Sequence, residues 1–357
     1  MDIRTIKNRA KAVRNQLIKS RIDALILTKP ANVTYVTCFC GHDSWAIITG
    51  RAVYLITDSR YLLQARSQCP ACTIIQRTGP MNQAVADLLN RLKSVHTAGI
   101  EASMSLADFR SLKKAVKIRL KPADNVIEQL RSIKDKAEIA AITTAANIAA
   151  KALERIKGRI KPGISENRLA GLLEFEIRSL GASNSFETIT AFGANAARPH
   201  HQPTNKKLKS NDTVLIDFGV RYKNYCCDLT RCFGVGRAGN LYKKVYDVVT
   251  EAQAAAIKAV KAGVRICDVD TAARRVIAES GLPVFGHGTG HGLGLEVHEL
   301  PIVSDKAKGR LQAGEVVTIE PAVYIAGELG VRIEDDILVT ETGYRILSRN
   351  CPHSFRP

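Results

Sequence analysis

The chain has 357 residues, 45% of them hydrophobic, and its 52 Lys or Arg against 34 Asp or Glu give a net charge of +18. This length and composition predict two cores of ordinary size. The chain contains no apolar run of about 18–20 residues, so we expect no membrane span. Its basic residues are dispersed and accompany no nucleic-acid motif. This pattern favours a solvated basic surface over a nucleic-acid-binding surface.

The N-terminal residues are charged and amphipathic, and they lack the apolar region and cleavage site of a signal peptide. Nine cysteines, an odd number without regular spacing, favour free thiols in a reducing compartment. We therefore expect a cytoplasmic protein.

Residues 1–127 predict a small α/β domain, because short strands alternate with helices. Helices are expected at 3–20, 59–67 and 81–94. Strands are expected at 24–27, 33–36, 45–49 and 53–57, with a turn at 29–32. This part of the sequence contains no cluster of metal-ligand or nucleophile-type residues. A helical linker begins near Glu128, so the second domain is predicted at 128–357.

The second domain opens with two predicted helices, 134–157 and 164–180, with Ser165 as N-cap and Gly181 as C-cap. A strand at 186–190 and a loop at 193–203 follow. Two more helices are expected at 240–262 and 267–280. A predicted hairpin comes after each helix pair, which suggests an internal duplication.

The first hairpin is predicted at 214–233, with a polar turn at 221–224. The midpoint between Asp217 and Asp228 falls between Tyr222 and Lys223, so we expect the two aspartates to face each other. Opposed residues in such a pair have Cβ atoms about 4.5–5.5 Å apart. Two like charges at that distance among apolar strands are unfavourable unless a cation shares them.

The second hairpin repeats this arrangement, because the midpoint between Glu320 and Glu334 is Gly327, in a turn-rich loop. One such pair alone would be best explained by chance. Two pairs, each centred on a turn, favour a cage of hard oxygen ligands that is larger than one metal ion needs.

Residues 285–299 contain glycine at alternate positions from 286 to 294, which argues against a helix and favours an extended segment closely approached by another backbone. His287 and His291 would then share a face, and His298 would lie on the opposite face unless a turn or bulge intervenes. We expect one metal-ligating histidine here and one or two near the substrate.

Several motifs together make the chain resemble a known family. They are NVTYVTCFCG and VYLITDSRYLLQA near the N-terminus, LRSIKDKAEI at the linker, and ARPHH, IDFGVRYKNYCCDLTR, GTGHGLGLEVHE, TIEPAVY and GVRIEDD beyond it. With these motifs in this order, the chain resembles creatinase/aminopeptidase-type metallopeptidases, and within them Xaa-Pro aminopeptidase and prolidase. The resemblance implies an α+β fold, in which a pita-bread catalytic domain follows a smaller creatinase N-terminal-like α/β domain.

The resemblance also implies a dinuclear metal centre and a set of site residues. Asp217 would bind one ion, Asp228 and Glu334 would bridge both, and His291 and Glu320 would complete the second. Glu320 would also relay a proton, and His200 and His298 would contact the substrate. Arg332 would orient a ligand carboxylate, and Phe186 would line the substrate pocket. His201 and His287 match no catalytic position.

The implied activity is removal of the N-terminal residue from peptides with proline in second position, by metal-activated water. A ligand set of carboxylates and one imidazole suits Mn²⁺, with Co²⁺, Zn²⁺ or Fe²⁺ as alternatives. A homodimer is expected from the same resemblance. Ala322 and Arg198 depart from the usual family pattern.

Two alternatives remain open at this point. The first is prolidase, which cleaves only Xaa-Pro dipeptides and needs a positive group, for which Arg198 is available, to hold the product carboxylate. The second is a metal-free pita-bread protein used as a binding module, which should have lost ligands, whereas all five are present here.

Overall fold

The computed structural model describes residues 3–357, and the chain divides into two compact units, Met1–Arg131 and Ser132–Pro357. The predicted domain boundary after residue 127 falls inside helix α6 (Val126–Ser132) and stays a prediction. Among the described residues, no helix combines the length and the apolar character that a membrane crossing requires.

The first unit is built on one mixed sheet with the strand order β4-β3-β2-β1-β5-β6. Its strands are β1 (Ala24–Leu27), β2 (Trp45–Thr49), β3 (Val53–Thr57), β4 (Thr73–Gln76), β5 (Thr97–Ile100) and β6 (Arg119–Pro122). Its helices are α1 (Ile3–Ser20), α2 (Pro30–Thr37), α3 (Leu62–Gln68), α4 (Met81–Arg91) and α5 (Leu106–Ala115). All four residues of β1 are buried, so this central strand is covered on both faces, as its continuous apolar sequence requires.

Helix α2 corrects the turn and strand predicted at 29–36. Pro30 occupies the first turn, where its fixed φ suits a helix start and its missing N–H costs nothing. Asn32, assigned to the turn, is instead fully buried and donates a 2.6 Å hydrogen bond to Glu101. The β-branched residues after it indicated a strand, but this long-range contact and burial outweigh local propensity.

The second unit contains two helix pairs, each followed by antiparallel strands, as predicted. The first half holds α7 (Lys136–Lys157), α8 (Glu166–Ser179), β7 (Ser183–Asn184), β8 (Ile189–Phe192), β9 (Thr213–Phe218), β10 (Val220–Tyr222), β11 (Tyr225–Cys226) and β12 (Leu229–Gly234). The second half holds α9 (Asn240–Ala259), α10 (Ile266–Glu279), β13 (Gly290–Gly292), β14 (Glu299–Val303), β15 (Val316–Ile319), β16 (Ala322–Ile325), β17 (Leu329–Arg332), β18 (Asp335–Val339) and β19 (Tyr344–Ile346). Each pair of helices packs on the strands of its own half. The strand predicted at 186–190 begins instead at Ile189, because residues 185–186 form a bend and residues 187–188 are irregular.

The register of the first hairpin differs from the prediction. Lys223 and Asn224 both have positive φ, of 48° and 71°, so they are the two central residues of the turn. The turn is therefore centred between Lys223 and Asn224, one residue later than the predicted midpoint. As a result, Asp217 pairs with Thr230 instead of Asp228. Asp228 lies two residues before Thr230, so its side chain is still expected on the same face of the hairpin as that of Asp217.

The register of the second hairpin is the predicted one. Gly327 has a φ of 78° in the turn, and β16 pairs with β17 through Ile325 and Leu329. Further along, β15 pairs with β18 through Thr318 and Asp336. Both ladders keep the register in which Glu320 lies opposite Glu334.

The glycine-rich segment is extended only at β13, so His287 lies outside the strand that contains His291. The predicted close backbone approach is present. A Cβ atom built on Gly290 would lie 1.9 Å from the Thr318 carbonyl oxygen, and one on Gly292 would lie 2.1 Å from that of Leu300. Only glycine fits these two positions without moving the neighbouring backbone.

Candidate metal centre

Five potential ligand side chains reach one region of the second unit from the ends of different strands. They are Asp217 on β9, Asp228 just before β12, His291 on β13, Glu320 just after β15 and Glu334 just before β18. All five were predicted as ligands from the resemblance. Because each sits at or beside a strand end, the sheet pairing fixes its backbone before any ion binds.

The most compact group within this set is Asp228, His291 and Glu334. Each offers one ligand atom, and these atoms all lie within 4.8 Å of one another. Glu320 adjoins the group, since its Oε1 atom lies 3.5 Å from His291 Nε2, while Asp228 Oδ2 lies 3.7 Å from the same nitrogen. The structure therefore brings four of the five predicted ligands into direct proximity.

Asp217 joins this group through Arg332 and Thr230. Arg332 Nη2 donates a 2.6 Å hydrogen bond to Asp217 Oδ2, and its Nε lies 4.0 Å from Glu320 Oε2. The Thr230 hydroxyl, opposite Asp217 in the ladder, donates a 2.7 Å hydrogen bond to Glu334 Oε2. Arg332 thus contacts two of the predicted ligands, and its role in orienting them stays a prediction.

The carboxylates of the candidate centre are buried close to one another, and Arg332 contributes one positive charge among them. Asp217, Asp228 and Glu334 are only 9%, 5% and 2% exposed. Burial, reinforced by the neighbouring carboxylates, holds the pKa values of Asp228 and Glu334 well above their usual range. Burial raises the pKa of Glu320 to about 7, with Arg332 opposing and Asp217 adding to the rise.

Two buried oxygens in the centre have no hydrogen-bond partner among residues 3–357. They are Asp217 Oδ1 and Asp228 Oδ1. A buried carboxylate oxygen left without a partner is costly, and coordination to a cation is the usual remedy. The orphaned oxygens and the clustered negative charge fit hard divalent cations held by carboxylates and one imidazole.

His291 is prepared to act as that imidazole. Its Nδ1 lies 3.1 Å from the Gly292 carbonyl oxygen, which can only accept, so Nδ1 carries the proton. The lone pair is then on Nε2, which faces the carboxylates. Burial, together with the neighbouring His298, lowers the pKa of His291 to about 4 and keeps the ring neutral. A second hydrogen bond that fixes the tautomer is typical of metal-ligating histidine.

The three residues predicted on the substrate side lie at different places. The His298 ring packs edge-on against His291, with ring centroids 4.3 Å apart. His200 is exposed in the segment after β8, and it adds slightly to the burial that lowers the pKa of His287 to about 4. Phe186 lines a surface groove with residues of α8, and none of the proposed metal ligands lines that groove.

Two residues near the centre, Tyr324 and Thr230, were not identified from the sequence. Tyr324 accepts a 2.7 Å hydrogen bond from Arg332 Nη1 and lies 3.2 Å from His287 Nε2. Thr230 could have been found had the first turn been centred on Lys223 and Asn224. Tyr324 gave no signal of its own, because aromatic residues are common in strands.

The three consecutive acidic residues at 334–336 have different surroundings. Glu334 faces the centre, whereas Asp335 forms a buried 2.7 Å ion pair with Arg231. Asp336 accepts long hydrogen bonds of 3.3 and 3.4 Å from the Asp228 backbone N–H. These two aspartates therefore fix the backbones that carry ligands.

Comparison with protein families matches both parts of the chain. Residues 140–341 match metallopeptidase family M24, and residues 9–133 match the creatinase/prolidase N-terminal domain. An uncharacterized peptidase of Bacillus subtilis, YqhT, is 39% identical over 341 residues, which are 95% of this chain and 97% of that protein.

Solved structures match over nearly the full length. The Xaa-Pro dipeptidase from Bacillus anthracis has a TM-score of 0.95 and 35% identity, covering 98% of this chain and 99% of that one. The X-Pro aminopeptidase from Thermotoga maritima has a TM-score of 0.87 and 36% identity, covering 94% and 97%.

These matches confirm the predicted fold class, a pita-bread domain after a creatinase-type N-terminal domain, and the predicted resemblance. They also confirm a metallopeptidase of the hydrolase class, whose family uses divalent metals, and Asp228, His291 and Glu334 form a group that could hold such an ion. The chain therefore belongs to metallopeptidase family M24.

Proposed function

We propose that this protein is an Xaa-Pro dipeptidase, a prolidase that hydrolyses the bond between an N-terminal residue and a C-terminal proline. The sequence alone favoured an Xaa-Pro aminopeptidase and kept prolidase as the alternative. The observation that reverses this order is the match to an Xaa-Pro dipeptidase with a TM-score of 0.95, against 0.87 for an X-Pro aminopeptidase.

The metal ligands in this proposal are the five side chains of the centre. Asp217 would hold one ion, His291 and Glu320 would hold a second, and Asp228 and Glu334 would contribute to both. Two bound divalent ions would supply an acidified water and positive charge that offsets the developing oxyanion. Mn²⁺ is the ion we expect in an oxygen-rich site with one imidazole.

Glu320 is the proposed proton carrier. Its carboxylate lies beside His291 and within 4.0 Å of Arg332 Nε. It would take a proton from the attacking water at a carboxylate oxygen and deliver that proton to the leaving proline nitrogen. Without this delivery, the nitrogen would have to leave as a strongly basic anion.

His298 and His200 are the proposed hydrogen-bond donors to the substrate. His298 lies against His291, so a donor on its ring would stand beside the reacting carbonyl oxygen, where it stabilises the charge that forms there. His200 follows Pro199, whose carbonyl oxygen lies 3.5 Å from Arg332 Nη2. That contact ties the His200 segment to the residue that holds Asp217.

Arg198 is the proposed ligand for the carboxylate of the substrate's proline. It is an exposed residue of the same segment, two positions before His200. A guanidinium can pair with a terminal carboxylate through two hydrogen bonds. A dipeptide presents that carboxylate directly after the scissile bond, whereas a tripeptide does not.

Hydrolysis of Ala-Pro and Ala-Pro-Ala by the metal-loaded protein tests this proposal. We expect a higher kcat/KM for Ala-Pro, and we expect Arg198→Ala to lower kcat/KM for Ala-Pro more than for Ala-Pro-Ala. Arg110→Ala, at an exposed position of α5 in the first unit, is the matched control. A higher kcat/KM for Ala-Pro-Ala than for Ala-Pro would contradict the prolidase proposal and favour an Xaa-Pro aminopeptidase.

We also propose a cytoplasmic location. All nine cysteines are free thiols, including the adjacent pair Cys226 and Cys227. Free thiols in this number suit a reducing compartment. Fractionation of the native cells with the protein detected outside the cytoplasm would contradict this location.

A further inference from the structure

Glu166, the first residue of α8, is a fully buried carboxylate with an unusual concentration of donors around it. Five hydrogen bonds reach its two oxygens. They come from the Phe192 backbone N–H (2.8 Å), Asn195 Nδ2 (2.8 Å), His201 Nε2 (3.0 Å), the Thr204 backbone N–H (3.0 Å) and the Thr204 hydroxyl (2.6 Å). Because an ionised carboxylate only accepts, the His201 Nε2 atom carries a proton.

All of these donors lie in one segment, residues 192–204, which we call the histidine segment. It joins β8 to β9 and contains the proposed catalytic His200 next to the buried His201. The Glu166 backbone carbonyl adds a sixth bond, since it accepts from the Thr190 hydroxyl at 2.8 Å. One residue of α8 therefore holds both ends of a segment that has little regular structure of its own.

The opposite side of the histidine segment rests on β17. A Cβ atom built on Gly330 would lie 1.9 Å from the Ala196 carbonyl oxygen, so the two backbones are in direct contact. Arg332, at the end of the same strand, reaches the Pro199 carbonyl oxygen. The segment is thus held between Glu166 and the strand that leads to the metal ligand Glu334.

The charge of Glu166 strengthens this attachment. Burial opposes ionisation, but the hydrogen bonds from Thr204, His201, Asn195 and Phe192 outweigh it and hold the pKa of Glu166 below its usual value. Hydrogen bonds to an ionised acceptor are about twice as strong as neutral ones. A neutral residue of the same shape should therefore hold the segment less firmly.

We propose that Glu166 is a positioning residue, which acts through the histidine segment to place His200 against the substrate. This inference rests on the proposed role of His200 in the peptidase reaction. A displacement of about 1 Å at a reacting group can cost about 100-fold in rate. Loss of the Glu166 charge should therefore lower kcat although Glu166 itself touches no substrate.

The second half of the catalytic unit contains a comparable carboxylate with a different task. Asp270 on α10 is fully buried and accepts from the Thr289 backbone N–H at 3.1 Å and the Thr289 hydroxyl at 2.7 Å. The Thr289 carbonyl oxygen accepts in turn from the Glu320 N–H. Asp270 therefore holds backbone beside the metal ligands His291 and Glu320, whereas Glu166 holds backbone beside a substrate residue.

The test is a double-mutant cycle on the metal-loaded protein, with Glu166→Gln, His200→Ala and the double variant assayed on Ala-Pro. We expect Glu166→Gln to lower kcat about 10- to 100-fold with both ions retained. In the His200→Ala background the same change should cost less than threefold, because the residue being positioned is gone. Asp270→Asn should instead reduce the bound metal.

Glu101→Gln is the matched control in the first unit. Glu101 is also a buried carboxylate, and it accepts from the Thr28 N–H, the Lys29 N–H and Asn32 Nδ2. We expect this variant to leave kcat and the metal content unchanged. If Glu166→Gln does not fold, Thr204→Val removes the single 2.6 Å hydroxyl bond and takes its place in the cycle.

The outcomes separate the positioning role from the proposed reaction. If His200→Ala lowers kcat, and Glu166→Gln lowers kcat by the same factor in the His200→Ala background as in the wild type, the positioning role is overturned while the role of His200 stands. If Glu166→Gln loses metal or leaves kcat unchanged, the positioning role is also overturned. If His200→Ala itself leaves kcat unchanged, both the positioning role and the proposed role of His200 fail.

Discussion

Thr230 lies directly opposite Asp217 in the β9–β12 ladder, and its hydroxyl donates a 2.7 Å hydrogen bond to Glu334 Oε2. The same hydroxyl accepts from Arg332 Nε at 3.2 Å. One side chain outside the proposed ligand set therefore lies between two proposed ligands that are more than 100 residues apart in the chain.

Thr230→Val should weaken metal binding about 10- to 100-fold, as is typical for loss of a group that orients a ligand. The shape of the residue is kept, but Glu334 loses its donor. Titration of the metal-free protein with Mn²⁺ measures the change. Thr213→Val, on the same strand as Asp217, is the control, because the buried Thr213 hydroxyl has no hydrogen-bond partner in the described part of the chain. Equal affinities for Thr230→Val and wild type would show that Thr230 does not orient Glu334.

His298→Ala should leave the metal content unchanged and lower kcat by about 10²–10³, the usual cost of removing one oxyanion donor. The reason is that His298 packs beside His291 but lies outside the compact group of Asp228, His291 and Glu334. Metal analysis and steady-state kinetics of the same preparation check this. His96→Ala, at an exposed position of the first unit, is the control. Loss of an ion from His298→Ala would make His298 a ligand.

Much of this arrangement could be predicted from the sequence, and the failures have physical causes. The second hairpin was placed correctly because Gly327, with its positive φ, marks the turn centre. The first hairpin was misplaced because residues 221–224 are all polar, so the sequence did not fix the turn centre to within one residue. That step decided whether Asp217 faced Asp228 or Thr230.

Contacts between segments that are far apart in the chain could not be predicted from the sequence pattern. Glu166 meets donors 26 to 38 residues away, and nothing in its own neighbourhood distinguishes it from an ordinary first-turn glutamate of a helix. Helix α2 was missed for the same reason, since the bond from Asn32 to Glu101 spans 69 positions. Local pattern indicates elements, but only the fold brings these partners together.

Two buried carboxylates should affect stability with opposite dependence on pH. The pKa of Glu166 is lowered in the folded protein by its hydrogen bonds, which outweigh burial. Its stabilisation is therefore fully present above the unfolded pKa of about 4.3 and is lost as the pH falls through the lower folded pKa. Burial raises the pKa of Glu101, so its stabilisation is full below about pH 4.3 and is lost as the pH rises through the folded pKa.

Unfolding of the metal-free protein between about pH 3 and pH 7 measures both effects against Glu166→Gln and Glu101→Gln. The stability difference between wild type and Glu166→Gln should shrink towards low pH. The difference for Glu101→Gln should shrink towards high pH. The same slope for both variants would show that one of the two directions is wrong.

We expect a homodimer, as the resemblance implies. The first unit contributes none of the proposed ligands and exposes large apolar side chains, with Ile18 at 76% and Leu63 at 83%. Static light scattering at micromolar concentration should give twice the chain mass of 38.9 kDa. A single-chain mass at that concentration would rule the dimer out.

The metal content of dialysed protein tests the central claim most directly. We expect two divalent ions per chain in the wild type, and fewer ions with no activity in Asp217→Asn and Glu334→Gln, because each change removes negative charge that holds the cations. Glu328→Gln, at an exposed position in the turn region between Glu320 and Glu334, should keep two ions and full activity. If Asp217→Asn and Glu334→Gln also keep two ions and full peptidase activity, the carboxylate centre described here is not the site of metal binding.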